Sequence, residues 1–466
     1  MMSLTVLTRD EVESIHRATL RLLAETGVVL TEPRAREILL EVGAEAEGDM
    51  VRLPRDLVEE VVGRCPEQVR IRGRSGQEAT LGDGQTRWHN VGGAREVLDP
   101  PTGESRPASL QDVRDSTRVL DGLEHVTTIS PFFTPQDVPG HAMSLAMYRH
   151  SLPFTTKPLQ GPGVHTPAEV ACAVEMASVI GEPGEVLTLS VSAVSPLSLP
   201  DNVAGAILSV AEAGIPFAPL PCPTAGTTAP FSMAGALAQQ NAEVLASIVL
   251  AELVHPELPV VYCGRLSMME PRTGASVWSG VETGLVSAAT VQIGHRYGLP
   301  VNVYGFTTNS NAMDLQSGHE RALNAAIPAL AGADELSGVG EIGAGVMGSY
   351  AQMVYDDEII ATIQRLRRGF AVDEDALGVD MIARAMGSAR NFLAEEHTVR
   401  YLRSGELLTT ELAERRPWKV WIDEGRGGAA ERAQAKAERL LEEHEVPPLS
   451  ETQEQELDRI LEAFAG

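Results

Sequence analysis

A short β-rich run, a loop rich in Gly, Pro, Ser and Thr, then a helical run: this unit recurs along the chain and constrains the fold more than any other feature. It is plainest over residues 297–369. There LPVNVYG (299–305) leads into the polar loop FTTNSNAMD (306–314) and a helix through residue 330. DELSGVG (334–340) then leads into EIGAGVMGS (341–349) and a helix in which Ile359, Ile363 and Leu366 recur at helical spacing. Other extended runs begin near His125, Pro153 (PFTTKP), Val186, Ile215 and Pro259, making seven βα units, and the run near Trp88 offers an eighth strand. Eight parallel strands alternating with helices predict an α/β fold, a TIM (β/α)8 barrel over residues 86–370, because they close more readily than they form an open sheet of that width. A doubly wound sheet is the competing fold. It would carry a Gly-x-Gly-x-x-Gly turn after its first strand, and the sequence has none there.

The flanks read differently. Residues 1–85 are expected to be an N-terminal helical segment, with Thr8 and Glu11 spaced as a capping box and further helices near 33–41 and 54–64. Residues 371–466 are expected to be a charged C-terminal helical extension, a solvated pair covering one end of the barrel and offering shape or homo-oligomer contacts.

Thirty-seven basic against 64 acidic residues give a net charge of −27, which disfavours an electrostatic hold on nucleic acid or an anionic membrane. No apolar run reaches the ~18 residues that span a bilayer, and residues 1–20 lack an apolar signal core, so the expected location is the cytoplasm. Cys65, Cys172, Cys222 and Cys263 lie far apart and are expected to be free thiols, with no metal bound. The alternative is a zinc site built from Cys222, Cys263 and a third group such as Glu341.

In a barrel the site lies at the carboxyl ends of the strands. The loops there offer Phe132, Phe133, Lys157, Gln160, Arg265, Phe306, Asn309, Asp314, Glu341 and Tyr350, with Gly343, Gly345, Met347 and Gly348 in one Gly-rich loop. The set is poor in acid/base pairs and rich in amides and aromatics, which suits holding a ligand more than moving protons. Asp314 could equally cap the helix that follows it, and Phe132 and Phe133 could equally be packing. The Gly-rich loop lacks the Lys-Ser/Thr of a P-loop, which leaves tight turns or close approach of a cofactor.

NVGGAREVLDPPTGESRPASLQDV (90–113), PFTTKP (153–158), MDLQSGHE (313–320), DDEI with the following RLRRGF (356–370) and FLAEEHTVRYLR (392–403) together resemble the trimethylamine methyltransferase family over nearly the whole chain. The resemblance implies a TIM barrel that passes a methyl group from a methylated amine to the Co(I) of a corrinoid (cobalamin) carried by a separate protein. All residues here are standard, so the chain resembles the non-pyrrolysine branch, whose substrates include glycine betaine and other quaternary amines. A quaternary ammonium expels a neutral amine and needs no general acid, in keeping with the sparse acid/base inventory. On this reading Phe132, Phe133, Phe306 and Tyr350 line the cation's site. Lys157, Arg265 and loop residues Asn309, Asp314 and Glu341 would hold the rest of the substrate. Gly343, Gly345, Met347 and Gly348 would lie beneath the corrin face, with no tightly bound cofactor in this chain. Two rival functions are a metal-dependent barrel lyase or hydrolase and a non-catalytic quaternary-amine-binding protein.

Overall fold

A computed structural model describes residues 2–100, 102–388 and 390–466. Six parallel strands organise it: β1 (Arg87–Asn90), β2 (Leu189–Val191), β3 (Phe217–Pro219), β4 (Tyr262–Gly264), β5 (Val301–Tyr304) and β6 (Glu335–Val339). β4, β5, β6 and β1 lie side by side in that order, with Cys263 opposite Asn302 and Asn302 opposite Glu335, and β3 pairs with β2. Phe217 N donates to Pro259 O and Val261 N to Phe217 O, both at 2.9 Å, which joins β3 to β4. Between β1 and β2 the backbone is less regular. Thr127 N donates to Trp88 O (2.9 Å), Ile129 N to Pro158 O (3.0 Å), Gln160 N to Ile129 O (2.7 Å) and Gly161 N to Thr188 O (2.9 Å). A helix follows most of these segments, so the fold is α/β with helices packed outside parallel strands.

Strand alternation puts opposite chemistries on the two faces. Val301, Val303, Leu336 and Val339 belong to the main apolar core, while Asn302, Tyr304, Glu335 and Ser337 face a common interior space. An antiparallel hairpin, Val69–Arg72 with Glu78–Leu81, closes this space at its base. Its Val69, Ile71 and Leu81 cluster with Val261 and Cys263 and with the partly buried Ala218 and Leu220.

The flanks depart from expectation. Residues 1–85 contain three helices, Arg9–Arg21, Pro33–Glu41 and Arg55–Val62, and the Thr8–Glu11 capping box forms, but five short strands lie there too. One of them, Val28–Leu30, pairs in parallel with Ser198–Leu199. Such strands escape periodicity analysis because they are three or four residues long and some pair across long stretches of sequence. The last two helices do not cap an end of the sheet. Ala429–Glu443 lies against Tyr350–Arg368 and Leu110–Gly122, and Glu451–Ala465 lies against Met143–Ser151 and Pro167–Ser178, on the outer helical layer. No helix among the described residues is long and apolar enough to cross a membrane.

Candidate active site

The inward residues of the strands line a cavity of about 440 Å³, with Ile71 of the hairpin in its wall. One hydrogen-bonded string runs along its polar wall. Glu335 is 1% exposed, and its Oε1 accepts from Thr128 Oγ1 and Gln160 Nε2, each at 2.8 Å. Glu335 Oε2 accepts from Asn302 Nδ2. Asn302 Oδ1 accepts from Arg265 Nη2, and Arg265 Nη1 donates to Asn302 O (3.0 Å) and Gly264 O (3.3 Å). The guanidinium sits 4.6 Å over the Tyr304 ring. These contacts orient the Asn302 amide, its oxygen toward the cation and its nitrogen toward the anion. Arg265 is 5% exposed, and its hydrogen-bond acceptors are neutral oxygens. It is a buried cation without a bonded carboxylate among the described residues.

His89 completes the string. Its Nε2 lies 3.0 Å from Asn302 Nδ2 and 3.9 Å from Glu335 Oε2. Burial lowers its pKa against the opposing pull of Glu335, so the ring is neutral and Nε2 accepts from the amide. Cys222 and Cys263 also face the cavity, and burial pushes their thiols up to about 11 and about 12, which keeps both protonated at neutral pH. Cys222 remains reachable from solvent. Among the described residues no three His, Cys, Asp or Glu side chains gather as a metal-binding group, so the zinc alternative through Cys222, Cys263 and Glu341 lacks its ligand set.

Of the residues expected at the site, Arg265 and Gln160 line the cavity. Most of the others have other occupations. Phe132 and Phe133 are fully buried and meet edge to face at 4.6 Å, behind the wall. Phe306 is buried against Trp88 at 5.8 Å, and Tyr350 donates to Asp112 Oδ1 at 2.9 Å. The aromatic ring in the cavity is Tyr304. Lys157 Nζ donates to Leu120 O (3.0 Å) and Leu123 O (2.6 Å) at the end of the helix Leu110–Gly122, where burial lowers its pKa to about 8. Asn309 ties two loops together, accepting from Trp278 N (2.8 Å) and donating to Ser276 O (3.0 Å). Asp314 caps the helix Leu315–Ala331 by accepting from Ser317 N at 2.9 Å.

Glu341 lies outside the cavity wall beside the buried Arg321–Asp356 ion pair, and burial raises its carboxyl to about 8. The Gly-rich loop is a hairpin, Glu341–Ile342 with Met347–Gly348, whose second arm pairs with Glu96–Asp99. Gly343 and Gly345 take φ of +62° and +82°, which few side chains tolerate. At Gly348 a Cβ would stand 2.1 Å from Phe132 Cε1. Tight turning and packing therefore account for these glycines.

Reading the loops missed His89, Asn302, Tyr304 and Glu335, which lie within strands. The signal was present in V-N-V-Y and E-L-S-G-V, where polar residues alternate with apolar ones in strands that helices cover on one side.

Fold and cavity thus define an α/β protein with a cavity at the inner face of its parallel strands, lined by a buried cation and a buried carboxylate. The family model for trimethylamine methyltransferase (MTTB) matches residues 1–463, and the chain belongs to that methyltransferase family. It is 28% identical over 452 residues to the trimethylamine methyltransferase MttB of Desulfitobacterium hafniense (strain DSM 10664 / DCB-2), covering 95% of this chain and 90% of that protein. It is 27% identical over 466 residues to the glycine betaine methyltransferase of Desulfitobacterium hafniense (strain Y51), covering 98% and 96%. Among solved structures, the Methanosarcina barkeri monomethylamine methyltransferase MtmB superposes with a TM-score of 0.51 at 14% identity, over 93% of this chain and 88% of that one, a likeness of fold.

Proposed function

We propose that this chain moves a methyl group from a carboxylated quaternary amine, a betaine, to the Co(I) of a corrinoid on a separate protein. The observation that carries the reading is the Arg265–Asn302–Glu335 string, which holds a buried cation and a buried anion apart along one wall of one cavity. Arg265 takes the substrate carboxylate, for which it has no competing carboxylate among the described residues. Glu335 draws the ammonium. Three donors already share its oxygens, so its grip is weak. That weakness matters, because the substrate loses its charge during transfer and a tight ion pair would favour the ground state over the transition state.

A docked corrinoid would supply the two-electron nucleophile that takes the methyl, with the C–N pair left on the nitrogen of the departing amine. The neutral His89 and the protonated Cys222 and Cys263 offer no rival anionic nucleophile at neutral pH. This chain's task is to position the donor and leave one face open. A rim of exposed apolar side chains, among them Val194, Phe231, Val281, Leu315 and Val346, stands on the segments after β2 to β6, where the partner would dock. The hairpin carrying Gly343, Gly345 and Met347 belongs to that rim.

We read the eight hydrogen-bonded segments as a closed (β/α)8 barrel spanning 86–370, flanked by 1–85 and 371–466, in a cytoplasmic protein. The pairing of β6 with β1 and the bonds through residues 127–129 and 158–161 support closure.

The test is thermal melting against glycine betaine, proline betaine, carnitine, choline, trimethylamine and dimethylglycine. A ligand at ~100 times its dissociation constant adds ~2.7 kcal/mol, a rise of about 3 °C at this length. A rise with a betaine and none with choline or trimethylamine is expected. A rise with trimethylamine alone would refute the assignment.

A further inference from the structure

The cavity is larger than a small betaine needs. Its volume is about 440 Å³, within the roughly 300–1,000 Å³ of pockets that enclose drug-sized ligands. Glycine betaine displaces on the order of five waters' worth of volume and would fill roughly a third of the space. What remains is not a second charged compartment. Among the described residues that line the cavity, Arg265 is the only Arg or Lys and Glu335 the only Asp or Glu. Both stand on the half of the wall built by β4, β5, β6 and β1, the half that carries the hydrogen-bonded string.

The other half differs in kind. Pro131, Met143, Met147, Pro162, Leu189 and Leu220 supply it, from β2, the end of β3 and the segments that follow residues 127–129 and 158–161. None of these side chains is charged. The two methionines stand one turn apart at the start of the helix Met143–Ser151, and their flexible thioethers can adapt to an apolar surface laid against them. Gly163 lines the same half, and a Cβ at that position would have no neighbour within 4 Å.

A zwitterion laid along the string has its carboxylate at Arg265 and its ammonium toward Glu335, both against one wall. In an α-betaine the carbon between the two groups is tetrahedral, so a side chain on it points away from that wall and into the uncharged half. Lengthening the chain between the charges follows the wall and leaves that half empty, whereas branching at the α-carbon fills it. Unfilled apolar volume forfeits the dispersion contacts that its lining could make. On the basis of the function proposed above, we propose that the methyl donor is an N,N,N-trimethylated α-amino acid with a large apolar side chain, of the size of leucine or phenylalanine, which seats against Met143, Met147 and Gly163. Its methyl passes to Co(I), and the C–N electron pair stays on the nitrogen of the departing N,N-dimethyl amino acid.

The test is calorimetric titration of the full chain, without corrinoid, with the trimethylated betaines of glycine, L-leucine and L-phenylalanine. The leucine and phenylalanine compounds are expected to bind about 10- to 150-fold more tightly than glycine betaine, the gain from burying one such side chain. Gly163→Leu places a side chain in the same space and should bring that ratio down to about one, with circular dichroism confirming that the variant folds. Where the variant does not fold, the wild-type ratio decides by itself. Glycine betaine binding as tightly as the other two overturns the proposal and leaves the proposed function standing, since the spare volume would then belong to the corrinoid face. A preference undiminished in Gly163→Leu also overturns it, because the side chain would then lie elsewhere. If none of the three binds, the betaine assignment itself fails and this inference goes with it.

Discussion

Asn302 is the residue on which the site turns, because one amide faces a buried cation with its oxygen and a buried anion with its nitrogen. Arg265→Met should weaken betaine binding 30- to 150-fold, the ~2–3 kcal/mol of a charge-assisted hydrogen bond. Calorimetric titration measures the loss, and an unchanged affinity would mean that Arg265 does not meet the substrate carboxylate. Lys157→Met should behave in the opposite way. It removes the donor to Leu120 O and Leu123 O, so stability should fall by about 1–2 kcal/mol while betaine affinity holds.

Glu341 makes stability depend on pH. Its carboxyl is held at about 8 when folded against an ordinary 4.5, so between those values the unfolded chain has released a proton that the folded one keeps. Stability is then lost as pH rises from about 4.5 to about 8. The neighbouring Asp356, also raised by burial, works in the same direction. Glu341→Gln should gain stability relative to the wild type on going from pH 5 to pH 8.5, read from melting at each pH. A constant difference would show that Glu341 ionises normally.

At the scale of elements, the βα alternation was legible because parallel strands covered by helices leave contrasting periods in the sequence. Where the backbone is irregular the reading slipped. PFTTKP was expected to be extended, but Leu152–Phe154 is a 3-10 turn and pairing begins at Pro158. The short strands among residues 28–81 were missed for the reason given above. The site was only partly legible, since a search of loops finds Arg265 and Gln160 and passes over strand residues whose polarity has meaning only once the interior is known to be hollow. The glycines of the 341–348 hairpin admit a direct check. Gly348→Ala drives a Cβ into Phe132 and should cost about 1–3 kcal/mol, as overpacking does. Gly345→Ala has only Glu341 Oε2 within reach, at 3.4 Å, and should cost about 1–2 kcal/mol for its left-handed backbone. Urea melts of the two variants would separate these causes.

At the scale of the molecule, the proposed reading divides the labour between the strand interior, which meets substrate, and the apolar rim above it, which meets the partner. A charge of −27 suits a protein that meets small zwitterions and not polyanions. The central claim is that a betaine is the methyl donor. The measurement that tests it most directly is anaerobic incubation of the purified chain with free cob(I)alamin and each amine of the panel, following loss of the Co(I) absorption together with release of the demethylated amine. The account predicts that both changes occur one to one with a betaine, do not occur with choline or trimethylamine, and disappear in Arg265→Met. Demethylation of trimethylamine with every betaine left intact would contradict it.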